Sequence, residues 1–312
     1  MGAQDREQGT GNREQKAKSG ERVHEFTAMS AAPWPAPAKI NHFLHITGRR
    51  LDGYHLLQTV FQFLDLADEL RISVTGDGRI TCRRSYQQVA EWDDLVVKAA
   101  KLLQQLSGSS KGAEIRVDKK IPIGGGLGGG SSDAATTLVA LNCLWETGLT
   151  AGRLAEAGLS LGADVPVFVR GFAAWGEGVG EKLEPVKLPE NWYLLVYPNT
   201  PIMTAEIFKA PDLMRATPTA TLRDFVQGRC RNDCEPVVRR TCPEVAAALD
   251  WLNARAEARL SGTGASVFAA FPEQDQAARL LRELPAKWQG FVARGCNRSP
   301  LMHRLAQESK GG

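Results

Sequence analysis

The sequence predicts an α+β fold in two domains, and three patterns carry that reading. Alternating apolar residues mark antiparallel-type strands between Ile40 and Val74, helical stripes run from Leu95 to Trp145, and strands and helices alternate again beyond Tyr193. A chain of 312 residues with 43% hydrophobic and 23% charged residues can bury two cores of ordinary size.

The elements follow in order. Residues 1–33 read as a disordered leader, because residues 1–30 are rich in Gly, Gln, Glu, Lys and Arg and show no apolar period. Charges at Arg13, Glu14, Lys16, Lys18, Glu21 and Arg22 exclude a secretory signal, and Met29 is an alternative start to Met1. Ile40, Leu44 and Ile46 alternate as one strand, and Thr59, Phe61 and Phe63 as a second, with the turn-like RRLDGYH between them. Leu70, Ile72 and Val74 predict a third strand, closed by glycines around Asp77. A helix from Asp93 to about Leu106 is predicted by its apolar stripe and by an aspartate placed to cap it. A strand around Ile115 and Val117, a helix through Leu138, Leu141 and Leu144, and a short helix around Leu154 come next. Asp164 two residues ahead of Pro166 resembles a helix N-cap, and residues 171–186 read as strand and turn.

Lys187–Asn191 is the expected boundary between domains at 34–186 and 187–307. Beyond it we expect strands at Tyr193–Tyr197, Val267–Phe271 and Phe291–Ala293, with helices near Ala205, Leu222, Val245–Leu252 and from Gln274.

Composition narrows the function. A net charge of +3, with basic residues spread along the chain, argues against a nucleic-acid partner and leaves small anions open. The uncharged stretch Ala134–Trp145 is too short to span a bilayer, so a cytoplasmic protein, monomer or homodimer, is expected. Cysteines 82, 143, 230, 234, 242 and 296 are scattered and read as reduced thiols. Cys230, Cys234 and Cys242 lack the second close pair that a zinc site needs.

The chemistry is concentrated at PIGGGLGGGSSDA, residues 122–134, with six glycines among the seven positions 124–130. Each glycine costs up to about 1 kcal/mol relative to alanine in regular structure. Such a run is retained where the backbone itself is the working surface, and a glycine loop entering a helix exposes N–H groups to phosphate. The Walker A pattern fails, because Ser131 stands where its lysine belongs. Gly124, Gly126 and Gly129 match the dinucleotide pattern G-x-G-x-x-G, but antiparallel-type strands precede the loop and Glu146 ends a helix rather than a strand.

The loop instead resembles the nucleotide loop of the GHMP kinases, the superfamily of galactokinase, homoserine kinase and the mevalonate kinases. PAPAKINHFLHITGRRLDGYHLLQTVFQFLD, LGADVPVFVRG and LSGTGASVFAAF extend the likeness, in order, from about Trp34 to about His303. These segments resemble most the member acting on a cytidine diphosphate-linked methylerythritol in the non-mevalonate isoprenoid pathway.

The resemblance implies a ribosomal-protein-S5-like N-terminal domain, a ferredoxin-like C-terminal domain, and ATP-dependent phosphorylation of an alcohol. It implies Asp164 as the carboxylate accepting the alcohol proton, with Lys39 beside it holding it ionised. By the same likeness Pro122, Ile123, Gly124, Gly125, Gly126, Leu127, Gly128, Gly129, Gly130, Ser131 and Ser132 wrap the triphosphate, with Mg²⁺ whose ligands it leaves unassigned. Tyr54, His55 and Phe208 are implied as a slot for the cytosine, with Asn41 and Phe61 along the methylerythritol. Taken from local spacing alone, Asp164 is equally a helix cap, Phe208 a core residue and His55 a satisfied core histidine.

Two departures stand out. Asp94 occupies a position where relatives commonly carry Asn, which puts an adenosine contact in doubt. Asp133 is a carboxylate close to the phosphate loop, which must point away or assist a metal. Homoserine- or mevalonate-type kinase activity, and a non-catalytic nucleotide-binding protein, are the competing readings.

Overall fold

Strand β1, Trp34–Arg49, runs antiparallel to β2, His55–Thr75, in a hairpin closed by pairing of Arg49 with His55. The computed structural model describes residues 32–84 and 94–311. β2 is one strand of 21 residues, where the sequence suggested two separate strands. No Gly or Pro interrupts Phe63–Leu70, and the strand changes partners instead of ending. β1 pairs along it from His55 to Leu70, while Glu69–Thr75 pair with a later strand.

After β2 come β3, Ile80–Arg84, helix α1, Leu95–Ser107, and β4, Gly112–Asp118. β3 was not anticipated; it lies parallel to β4. The predicted cap at Asp93 falls outside the described residues, and Asp94 fills the role by accepting from the Val96 N–H at 2.7 Å. Asp94 also forms a salt bridge of 3.1 Å to Arg84 and is buried.

Helix α2, Gly129–Leu144, starts inside the glycine run and is buried without interruption from Ser132 to Leu141. A helix apolar or small on every side belongs in the middle of a layer. Around it lie α3, Ala151–Gly158, and α4, Val165–Arg170, before β5, Ala174–Glu177, and β6, Lys182–Pro185. The first core joins Trp34, Phe63, Leu70, Leu103, Leu138 and Phe168 between these helices and the sheet.

Then follow β7, Trp192–Tyr197; α5, Thr204–Lys209; α6, Leu222–Val226; α7, Glu235–Thr241; and α8, Pro243–Asn253. The chain closes with β8, Ala258–Leu260; β9, Val267–Phe271; α9, Gln274–Arg282; β10, Gln289–Cys296; and α10, Pro300–Gly311. α7, β8 and α10 were not anticipated. A second core gathers Leu194, Val238, Leu249, Leu260 and Val267.

The two halves share one sheet, ordered β3-β4-β2-β10-β7-β9-β8. β10 joins them, pairing Gly295 with Leu64 of β2 on one side and Phe291 with Leu195 of β7 on the other. α10 then returns Leu301 to the first core. Among the described residues no helix is long and apolar enough to cross a membrane.

Candidate active site

The glycine loop, the N-terminal hairpin and the loop before β9 converge on one cavity of about 1000 Å³. Lys39 is the fixed point of its floor. Alternation along β1 turns its side chain inward, so that only 4% of the residue is exposed. Its Nζ lies 3.2 Å from Asp164 Oδ2, donates to Asn41 Oδ1, and sits 5.7 Å from the centre of the Phe61 ring. An ammonium so deeply placed needs a carboxylate and an acceptor, and here it has both.

Asp164 stands at the N-cap position of α4, yet its side chain makes no capping hydrogen bond. The carboxylate faces Lys39 instead and remains one-third exposed. Asn41 completes the floor by donating from Nδ2 to Thr59 Oγ1 at 2.9 Å. Phe61 is buried beneath Lys39.

The glycine loop is gripped from both halves of the chain. The Lys39 N–H donates to Leu127 O at 3.0 Å. From the other side Ser261 Oγ donates to Gly126 O at 3.0 Å and the Ser266 N–H to Gly125 O at 2.9 Å. Gly126 has φ +72°, and a Cβ there would meet Ser261 O at 2.4 Å and Gly264 O at 2.6 Å. Gly128, φ +73°, has the Phe168 ring and the Lys39 stem against it. At these two positions only glycine fits, on conformation and on space.

Pro122, Ile123, Gly124–Gly130 and Ser131 line the cavity. Ser132 does not: it is wholly buried in α2, its hydroxyl has no hydrogen-bond partner among the described residues, and its N–H is taken by Gly128 O. Gly262 brings the distant loop to the floor, where a Cβ would lie 3.2 Å from Asn41 Oδ1 and 3.5 Å from Lys39 Nζ.

Below the loop lies a cluster that the sequence did not reveal. Lys119 Nζ pairs with Asp68 and, at 2.7 Å, with Asp133 Oδ2. Asp68 also accepts the Lys120 and Ile121 N–H groups at 2.6 and 2.8 Å. Asp133 Oδ1 has no hydrogen-bond partner among the described residues. Burial, with the neighbouring Asp68 charge, pushes Asp133 up to about 8 against the pull of Lys119. Burial opposes the Lys119 charge, but its two carboxylates outweigh this and raise its pKa.

Asp133 Oδ2 is therefore turned to Lys119 at the edge of the cavity, and burial favours its neutral form. Its raised pKa makes a contribution that is fully present below the ordinary value of 3.8 and lost as pH rises towards about 8. Asp133→Asn is thus expected to raise stability by about 1–3 kcal/mol at pH 8, with a smaller gain at pH 5. Thermal melts of both proteins across that range measure this; a gain that does not grow with pH contradicts it.

The far end of the cavity is built from Tyr54, His55 and Phe208. Tyr54 is 62% exposed in the hairpin turn, held where the Arg50 N–H donates to its carbonyl at 2.7 Å. His55 and Phe208 stack with centroids 4.9 Å apart and planes 18° apart. Rings in that contact admit no third ring between them, which leaves only the outer faces of the pair open to stacking. Arg215 and Ser261 also belong to the site and were missed: Arg215 lies in no motif, and Ser261 stands in the LSGTGASVFAAF segment without a role assigned to it. Among the described residues no group of three or more His, Cys, Asp or Glu side chains is placed to hold a metal.

Comparison with known proteins agrees with this arrangement. The family described as GHMP kinases N terminal domain matches residues 94–172, and GHMP kinases C terminal matches 213–290. The chain is 56% identical over 272 residues to 4-diphosphocytidyl-2-C-methyl-D-erythritol kinase of Nitrosococcus oceani, covering 87% of this chain and 97% of the relative. It is 53% identical over 283 residues to the Shewanella loihica protein of the same name, covering 90% and 100%. A crystal structure of 4-(cytidine 5'-diphospho)-2C-methyl-D-erythritol kinase superposes with a TM-score of 0.73 at 31% identity, over 85% of this chain and 99% of that one. With its glycine loop and both domain matches, the chain belongs to the 4-diphosphocytidyl-2-C-methyl-D-erythritol kinase family of the GHMP kinases and is an ATP-dependent small-molecule kinase.

Proposed function

We propose that the protein transfers the ATP γ-phosphoryl group to the 2-hydroxyl of 4-diphosphocytidyl-2-C-methyl-D-erythritol, giving the 2-phosphate and ADP in the non-mevalonate isoprenoid precursor pathway. One observation carries the reading: the 3.2 Å pair of Lys39 and Asp164 lies in the same cavity as the glycine loop and the Tyr54–His55–Phe208 cluster. Residues 34–186 supply the ATP loop and the reacting pair, and residues 187–307 complete the acceptor site with Phe208.

The acceptor hydroxyl lies against Asp164, which takes its proton as the oxygen bonds to the γ-phosphorus and the bond to the ADP oxygen breaks. Lys39 pairs with Asp164 and offsets charge on the transferring group. The N–H groups of residues 124–131 and the positive end of α2 receive the triphosphate, with Pro122 and Ile123 at its edge. Asn41 holds Lys39 in line, Phe61 closes the floor beneath the methylerythritol, and Tyr54 and Phe208 offer ring faces to the base.

Mg²⁺ neutralises phosphate charge when bound with ATP, and it is held largely by phosphate and water. The glycine loop offers one hydroxyl to the cavity, Ser131, and among the described residues no group of three or more His, Cys, Asp or Glu side chains is placed to cage a metal, which suits that mode. Ser131 is the residue we propose for it.

Homoserine and mevalonate have no base to fill the aromatic end. Steady-state ADP release should therefore be high with the cytidine-linked acceptor, near background with homoserine or mevalonate, and inhibited by cytidine diphosphate. Turnover of mevalonate or homoserine unaffected by cytidine diphosphate would refute the acceptor assignment.

A further inference from the structure

Between α5 and α6 the chain places Arg215 behind the aromatic wall of the acceptor pocket. Its guanidinium donates from Nη2 to Phe208 O at 3.1 Å and Ala210 O at 2.6 Å, from Nη1 to Leu213 O at 3.1 Å, and from Nε to His55 Nε2 at 3.2 Å. One side chain thus ties the end of α5, which carries Phe208, to the first residue of β2.

The last of these bonds has a chemical consequence. A guanidinium carries donors only and keeps its charge in proteins, so the ring nitrogen facing it must accept. That excludes the Nε2–H tautomer of His55, and it excludes the imidazolium, which would set donor against donor and cation against cation. The remaining form carries its proton on Nδ1. Among the described residues no acceptor takes that proton, while His55 lines the cavity. Burial, Arg215 and Arg49 each lower the His55 pKa, in keeping with a neutral ring.

We propose that Arg215 is a positioning residue that locks His55 as an Nδ1–H donor and so makes the pocket read cytosine rather than uracil. The proposal rests on the cytidine reading above. Cytosine N3 is an acceptor, which an Nδ1–H group satisfies. Uracil carries a hydrogen on N3, and two opposed donors in a partly buried pocket leave both unsatisfied. A ring free to change tautomer would accept from uracil N3–H; the lock removes that option. The discrimination is thus set one residue away from the ligand.

The test compares wild type, Arg215→Met and Arg215→Lys on cytidine- and uridine-linked forms of the acceptor at saturating ATP. Wild type is expected to favour the cytidine form by about 10–100-fold in kcat/KM. In both variants that ratio should fall towards one, through a rise in KM for the cytidine form, with KM for ATP unchanged. Nitrogen-15 spectra of His55 should show one Nδ1–H tautomer in wild type and a mixture in the variants.

Lysine keeps a cation for the three carbonyls, so Arg215→Lys preserves the test if Arg215→Met does not fold. A merely structural role would slow both acceptors equally and leave the ratio in place. That result, a wild type indifferent to the base, or an unaltered tautomer would overturn the proposal. A wild type that phosphorylates neither acceptor would overturn the acceptor assignment instead, while the tautomer measurement would still decide the lock.

Discussion

Asp164→Asn yields a protein that folds and binds ATP but turns over about 10²–10⁴-fold more slowly. The separation of effects follows from the geometry. The Asp164 carboxylate caps no N–H of α4, so removing its charge costs that helix little. Lys39 keeps Asn41 as acceptor and the Phe61 ring beside it, and the glycine loop keeps its bonds to the Lys39 backbone and to Ser261. What disappears is the group able to accept a proton from the acceptor alcohol. The loss should therefore fall on kcat and leave KM for ATP near its original value. Steady-state kinetics with a melting curve on the same sample measure both; a kcat within a few-fold of wild type removes Asp164 from the mechanism.

Gly126→Ala has the largest expected effect on structure. It puts a side chain into a left-handed conformation and drives Cβ to 2.4 Å from Ser261 O and 2.6 Å from Gly264 O. Both obstructing atoms belong to backbone and cannot rotate away. The cost is about 2–4 kcal/mol of stability, with a rise of about tenfold or more in KM for ATP as the glycine loop separates from the loop before β9 that holds it. Gly130→Ala is the internal comparison. Gly130 lies in α2, and a Cβ there would rest 3.6 Å from Leu95 Cδ1, an ordinary contact. It should keep or slightly raise stability, since alanine favours a helix by about 1 kcal/mol over glycine. Denaturant titrations of the two proteins distinguish them; equal stability would show that crowding at Gly126 does not restrict the loop.

Periodicity made most of the fold legible. β1, the start of β2, α1, α2, β7 and β9 all lie where alternation or helical spacing put them, since the apolar side chains of each are set towards a core. The length of β2 was not legible, because a change of pairing partner leaves no mark on the strand that makes it. α10 and β8 escaped for a related reason: α10 is polar over much of its surface and β8 spans three residues.

The site divides in the same way. The glycine run is visible because its composition is costly without a purpose. Asp164 stood out through its place before Pro166, although local spacing suggested a cap and the structure gives the side chain a lysine instead. Ser261 stood inside the quoted LSGTGASVFAAF without a role of its own, whereas Asp68 and Arg215 were invisible, because each acts on a partner more than 50 positions away in sequence. Their only trace is a polar residue inside an apolar strand, as with Asp68 in LADEL, or an arginine in an otherwise plain loop. Asp133 gave a true signal, since a carboxylate beside a phosphate loop requires an explanation, and Lys119 supplies it.

The measurement that bears most directly on the central claim is phosphorus-31 NMR of a reaction containing the wild-type protein, ATP, Mg²⁺ and 4-diphosphocytidyl-2-C-methyl-D-erythritol. We expect a new phosphomonoester resonance on the acceptor's 2-position, growing in equal amount with ADP. ADP accompanied only by inorganic phosphate, or no loss of ATP at all, would contradict it.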